Sequence, residues 1–314
     1  MRHVARRLIA PALCLLILAV LASRLDLALM VRSFSQVAWG WAACAALVNL
    51  LNTGIEAVRW RAIVAPIKKR ASVANTFAAL LVGVVGNSLL PLKLGDAARV
   101  YELARREQLP VASVVSTVIL DRIVDVGALL TVIVLTSAPL GLPVAVNNTA
   151  RWGLAAVATV AAVALLLAWI RRRRAAPAGV SRREGLTAQL DRFAEGFAAL
   201  RRAGLLLPVG ALAVCSWVAR GAIVWLTLRA FGLMLPAQAA VVVLIVINVG
   251  IAAVAAPANL GAFELSAMAG LGLLGVRSEL ALSYGVTLHA VELVPPLLLG
   301  LTIVWRSGLT VSGQ

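Results

Sequence analysis

The sequence predicts an all-α polytopic membrane protein, and three observations carry that prediction. Only 13% of its 314 residues are charged and 62% are hydrophobic, with a mean hydropathy of +0.97; soluble domains carry about 25% charged residues. Six runs are long and apolar on the scale of the ~20 residues that cross a hydrocarbon core. Two further apolar stretches are interrupted by Gly, Asn and Pro, and irregular backbone at membrane depth is tolerated only where protein or a cavity surrounds it.

Taken in order, the first run, 8–22, follows Arg2, Arg6 and Arg7. That pattern also fits a secretory signal, but ahead of a membrane-embedded remainder it reads as an uncleaved first helix, with residues 1–36 forming that helix and an outer loop. Runs 37–58, 111–138, 152–170, 205–228 and 280–304 complete six spanning helices. The interrupted stretches, 73–90 and 237–274, are expected to be re-entrant broken-helix elements. The cysteines Cys14, Cys44 and Cys215 lie far apart in apolar runs, so neither a disulfide nor a metal pattern emerges.

The formal net charge of +16 raises the question of nucleic acid. Its arginines, however, fall in short loops between apolar runs, which is the positive-inside pattern, so no nucleic-acid partner is expected. Loops 1–7, 59–70, 93–106 and 171–202 and the tail after Arg306 should be cytoplasmic, as should both termini. Loops 23–36, 139–150 and 229–237 should face outward. Within 171–202, Leu186, Leu190, Phe193 and Phe197 recur at helical spacing, so an amphipathic helix on the anionic inner leaflet is expected there.

Parity explains why the interrupted stretches should be re-entrant. Loops 59–70 and 93–106 both belong in the cytoplasm, yet the apolar 73–90 lies between them. An element that enters and leaves on one side satisfies both loops, with Gly86-Asn87 as its turn. Around the two stretches the chain nearly repeats itself. Pro91-Leu92-Lys93-Leu94-Gly95-Asp96 and Pro257-Ala258-Asn259-Leu260-Gly261, with Glu264 after it, share P-x-x-L-G and a carboxylate. Asp121, Arg122 and Asp125 follow the first motif at about the distance that His289 and Glu292 follow the second. This suggests inverted repeats, 37–138 and 204–305, joined by 139–203 within one membrane domain spanning 1–314. Many transporters have that construction.

Charges inside spans are expensive, about 2.5–3.5 kcal/mol each on insertion scales. Arg99, Arg122 and Arg220 are candidate phosphate ligands, because a guanidinium fork binds two oxygens and stays ionised. Asp121, Asp125, Glu264 and Glu292 could hold those arginines or a cationic head group, and His289 could exchange a proton. Asn87, Pro91, Gly95, Asp96, Pro257, Asn259 and Gly261 would shape the re-entrant corners. Glu56 and Arg59, three apart near a helix end, read as a pair able to snorkel. The plainer alternative for all these charges is ion pairs that lock helices together.

At these residues the chain resembles the transmembrane region of lysylphosphatidylglycerol synthases and its stand-alone flippase-like relatives. The resemblance rests on Glu56–Arg61 (E-A-V-R-W-R), Gly86-Asn87, Pro91, Gly95-Asp96, Arg99, Asp121-Arg122, Asp125, Pro257, Gly261 and Glu264, and covers about residues 35–305. It implies translocation of a polar-headed lipid across the bacterial inner membrane, with a phospholipid, polyprenyl-linked or hopanoid-type substrate. No cofactor, catalytic residue or metal is implied, and the synthase activity of the two-domain members is not expected. Lys93, Asp96 and the P-A-N-L-G at 257–261 depart from the common family pattern. An intramembrane polyprenyl-pyrophosphate phosphatase and a non-transporting assembly protein are the competing functions.

Overall fold

A computed structural model describes residues 32–89, 94–137, 148–159, 193, 203–253 and 257–306. Its helices include, in chain order, α1 (Trp39–Val64), α2 (Val73–Leu89), α3 (Gly95–Glu107), α4 (Val111–Ser137), α5 (Ala203–Ala230), α6 (Ala237–Ala253), α7 (Ala262–Gly272) and α8 (Ser278–Arg306), with a 3-10 turn at Pro257–Asn259. No strand occurs among the described residues. The protein is an all-α polytopic membrane protein, as expected. Helices α1, α5 and α8 are long and apolar enough to cross a bilayer. Helix α4 is comparably long, with 27 residues, but carries Asp121, Arg122 and Asp125. The first run 8–22, most of 152–170, the linker 171–202 apart from Phe193, and Pro91 lie outside the described residues.

Helices α2 and α6 have 17 residues each. At 1.5 Å per residue that is about 25 Å, short of a core of about 30 Å. Each is followed by a shorter helix, α3 with 13 residues and α7 with 11. One expectation is corrected here. Helix α2 runs unbroken through Gly83, Gly86 and Asn87 to Leu89. The glycines make room for a neighbour instead of turning the chain. A Cβ on Gly86 would sit 2.7 Å from Gly95 Cα, and one on Gly95 would overlap Gly83 O and Asn87 N. Small residues at such contacts let backbones approach closely in membranes.

The packing divides the chain into two compact units. The first collects the described parts of Met1–Thr53, Leu81–Ala98 and Ala219–Gln314; the second collects those of Gly54–Leu80 and Arg99–Val218. They interleave along the chain and do not follow its two sequence halves.

In the second unit, Trp60, Ile63, Leu103, Val114 and Leu120 form a buried apolar core. Polar groups within it are matched. The Trp60 indole donates to Thr117 Oγ1 at 3.1 Å, and Thr76 Oγ1 donates to the Ala57 carbonyl at 3.0 Å. Glu107, the last residue of α3, accepts from Ser72 N at 2.9 Å and Asn75 Nδ2 at 2.7 Å, and pairs with Lys68 at 2.9 Å. The loop before α2 and the end of α3 are therefore tied at one place.

In the first unit, α6 and α7 form a close hairpin. A Cβ on Gly250 would overlap Ser266, and one on Gly270 would lie 3.2 Å from Val243 Cα. Helix α8 packs on α7 through Gly285, beneath which lies the Glu264 carbonyl. The start of α1 meets the end of α5, where Ala38 N donates to Ala230 O at 2.8 Å. Trp41 and Trp225 contact edge to face there, with centroids 6.4 Å apart.

Candidate functional site

In the second unit the sequence pointed to Asp121, Arg122 and Asp125 as one cluster, and the structure rearranges it. Asp121 and Asp125, one turn apart on α4, are buried and both face Arg59 of α1. Arg59 Nε donates to Asp121 Oδ1 at 2.9 Å, and Nη1 donates to Asp125 Oδ1 at 2.8 Å. Reading Arg59 as a snorkelling partner of Glu56 is thereby corrected, since only 3% of it is exposed. It lies five residues inside the end of α1, too deep to reach water, and two carboxylates satisfy its fork there. Arg122 is exposed on the other side of α4.

Several neighbours complete this cluster. The Trp217 indole donates to the Asp125 carbonyl at 2.9 Å, and Ser216 Oγ donates to Glu56 Oε1 at 3.3 Å. The buried Arg99 guanidinium lies over the Trp60 ring, 5.4 Å from its centroid, and within electrostatic reach of Asp121. A cation stacked on indole keeps its charge in apolar surroundings by trading hydration for the ring's negative face. Removing one partner from a buried pair costs about 3–5 kcal/mol, because the other charge is left uncompensated. The Arg59 cluster therefore ties α1 to α4 in one register, and breaking it would strand a buried charge.

The first unit holds the two corners and a second cluster. At the first corner, Asn87 Oδ1 accepts from Gly95 N at 2.9 Å, so a side chain in the last turn of α2 caps α3. Asp96, in the first turn of α3, complements the positive end of that helix. At the second corner three of four residues have positive φ: Ala258 (51°), Asn259 (56°) and Gly261 (81°). Glu264 Oε2 accepts from Gly261 N at 2.8 Å, and its Oε1 lies 2.7 Å from His289 Nδ1. The imidazole N–H donates to the carboxylate there, which leaves Nε2 for other chemistry. Phe263 stacks on the imidazole, with centroids 4.5 Å apart and planes 16° apart. Glu264 and His289 are both buried.

Arg220 and Glu292 are half-buried in the same unit. The hydroxyls nearest the two motifs, Ser88 and Ser266, donate to carbonyls of their own helices, Val84 O and Ala262 O. Among the described residues no group of His, Cys, Asp and Glu could hold a metal ion.

Sequence reasoning missed Asn49. Its Nδ2 donates to Val291 O at 3.1 Å and Glu292 O at 2.8 Å. Pro295 and Pro296, inside α8, lack the N–H groups that would bond these same two carbonyls four residues back. Asn49 supplies the donor that the prolines remove. A Pro-Pro pair inside a predicted span was the available signal, because the freed carbonyls require partners in lipid. Trp217 and Glu107 were also missed; the sequence marks neither, since each acts on a segment remote in the chain.

The sequence matches the family described as the Lysylphosphatidylglycerol synthase TM region over residues 7–300. No curated protein matches it.

Proposed function

We propose, from the premise that the chain belongs to the lysylphosphatidylglycerol synthase transmembrane-region family, that it translocates a polar-headed, phosphate-bearing lipid across the bacterial cytoplasmic membrane. The observation that carries this reading is the second corner, where a buried carboxylate and imidazole sit at a glycine-marked break between two helices too short to span. Broken helices bearing polar groups at membrane depth are a construction that transporters use for substrate sites. The likeness of the two corners supports inverted repeats, with each corner gating one face. Both termini and the basic loops are cytoplasmic in this scheme.

Arg99 and Arg220 serve as phosphate ligands. Arg59, Asp121 and Asp125 hold the frame, and Glu264 with His289 passes a proton as the second corner opens. Head groups move through the protein while the acyl chains stay in lipid.

The test is translocation in proteoliposomes holding a head-group phosphatidylglycerol analogue whose fluorescence an impermeant reductant destroys from outside. The full chain should expose analogue from the inner leaflet faster than empty vesicles do. Arg99→Gln and Glu264→Gln should abolish that excess while remaining folded, with only a modest fall in melting temperature. Equal rates with and without protein, for phosphatidylglycerol, its lysyl ester and a polyprenyl phosphate alike, would overturn the reading.

A further inference from the structure

Helices α1 and α8 do not close on each other along their whole length. Between Trp39, Ala42, Ala43 and Ala46 on one side and Val286–Pro295 on the other lies an open groove of about 500 Å³, with Phe34 at its end. That size falls in the range of roughly 300–1,000 Å³ usual for ligand sites. The alanines create the space by withholding side chains.

The walls are almost entirely hydrocarbon. The one hydroxyl among them, on Thr287, is turned back to its own helix, donating to Ser283 O at 3.0 Å. The proline-freed carbonyls of Val291 and Glu292 would add polar atoms, but Asn49 takes both. Residues 286–295 rise about 14 Å at 1.5 Å per residue. That is close to half of a hydrocarbon core of about 30 Å, so the groove matches the depth of one leaflet.

One end of the groove is cationic and aromatic. Arg32 is exposed two residues before Phe34. Arg229 lies over the Trp225 ring at 4.7 Å, and Trp225 contacts Trp41. The Ala38–Ala230 hydrogen bond holds the two arginine-bearing segments side by side. Trp residues gather at the level of lipid head groups, and arginine is the preferred partner of phosphate.

We infer that this groove binds one acyl chain of an anionic phospholipid, with the lipid's phosphate at Arg32 and Arg229. The site does not depend on transport, because a lipid can reside there in a protein that moves none.

The test uses the full chain in phosphatidylcholine nanodiscs with a minor fraction of phosphatidylglycerol carrying a mid-chain diazirine. After illumination, label should concentrate on residues 42–46 and 286–295. Ala43→Trp places an indole in the groove at an exposed position. It should cut that label about tenfold, the effect of displacing two buried methylenes, with labelling elsewhere and melting unchanged. Should Ala43→Trp fail to fold, Ala46→Phe fills the same space with a smaller ring. Replacing Arg32 and Arg229 by Gln should reduce phosphatidylglycerol label to that of a phosphatidylcholine probe. Label spread evenly over all exposed apolar faces, or insensitive to Ala43→Trp, would show ordinary boundary lipid and overturn the site. Exclusion of both probes from the wild-type groove would assign it to another occupant, residues 8–22 or a second copy, with the same consequence.

Discussion

The two P-x-x-L-G corners share three letters of five and differ in chemistry. At the first, a neutral amide, Asn87, caps the entering helix, and Gly95 is pressed against the backbone of α2. At the second, the chain turns through left-handed conformations, and the capping group is a carboxylate held by an imidazole. Both corners solve the same problem, an orphan N–H at the start of a buried helix. Only the second solves it with groups that can change charge. The pattern fixes where the chain breaks, and the residue that reaches back to the glycine N–H decides whether the break can respond to anything.

The largest expected contrast comes from adding one carbon to each glycine. Gly95→Ala puts a methyl into Gly83 O and Asn87 N, atoms of helical backbone that cannot yield. The cost should be about 3 kcal/mol or more, as for severe overpacking. Gly261→Ala faces mainly its positive φ, a penalty of about 1–2 kcal/mol. Unfolding of the detergent-solubilised protein should rank them in that order, and the reverse order would mean that the first corner is loosely packed.

A smaller contrast separates the two caps. Asn87→Ala leaves one buried N–H unsatisfied, costing about 1–3 kcal/mol. Glu264→Ala strands the Gly261 N–H and His289 together and should cost more, whereas Glu264→Gln retains an acceptor and should recover most of the loss. Equal destabilisation by Ala and Gln at 264 would show that the charge, and not the cap, holds the corner.

The smallest effect distinguishes the hairpins at their far ends. Burial pushes the Glu107 carboxyl up, but hydrogen bonds from Asn75, Lys68 and Ser72 outweigh it and hold the pKa below its ordinary value. A depressed carboxylate contributes stability that is complete above its unfolded pKa of about 4.3 and is lost as pH falls through its folded value. Acid should therefore loosen the start of α2 from the end of α3. As pH falls below about 4.3, the wild type should lose more stability than Glu107→Gln, whose profile should be flatter. Parallel profiles would exclude Glu107 as the acid-sensitive tie.

The sequence already carried the class, the long helices α1, α4, α5 and α8, and the places where α2 and α6 give way to shorter helices. Apolar length and loop charge report those directly. Partner choice was less legible. Arg122 is adjacent to Asp121 in sequence and exposed, while Arg59, sixty-two residues away, takes both carboxylates. Nothing in periodicity says which helix faces which when apolar residues surround each one. The glycines of α2 misled for a related reason, because a glycine that breaks a helix and one that admits a neighbour look alike until the neighbour is known.

That neighbour has a bearing on how the protein is made. Helix α3 bears Asp96, Arg99, Glu102, Arg105, Arg106 and Glu107, so no translocon would pass it sideways into lipid as a lone segment. Helix α2 is short of a full span as well. Its far half is packed against α8, where a Cβ on Gly300 would meet Leu81 O at 2.6 Å. Helix α8 is the last of the described helices to leave the ribosome. The first hairpin, though translated early, can reach its final packing only after the C-terminal helix has been synthesised, so the order of synthesis and the order of assembly are different.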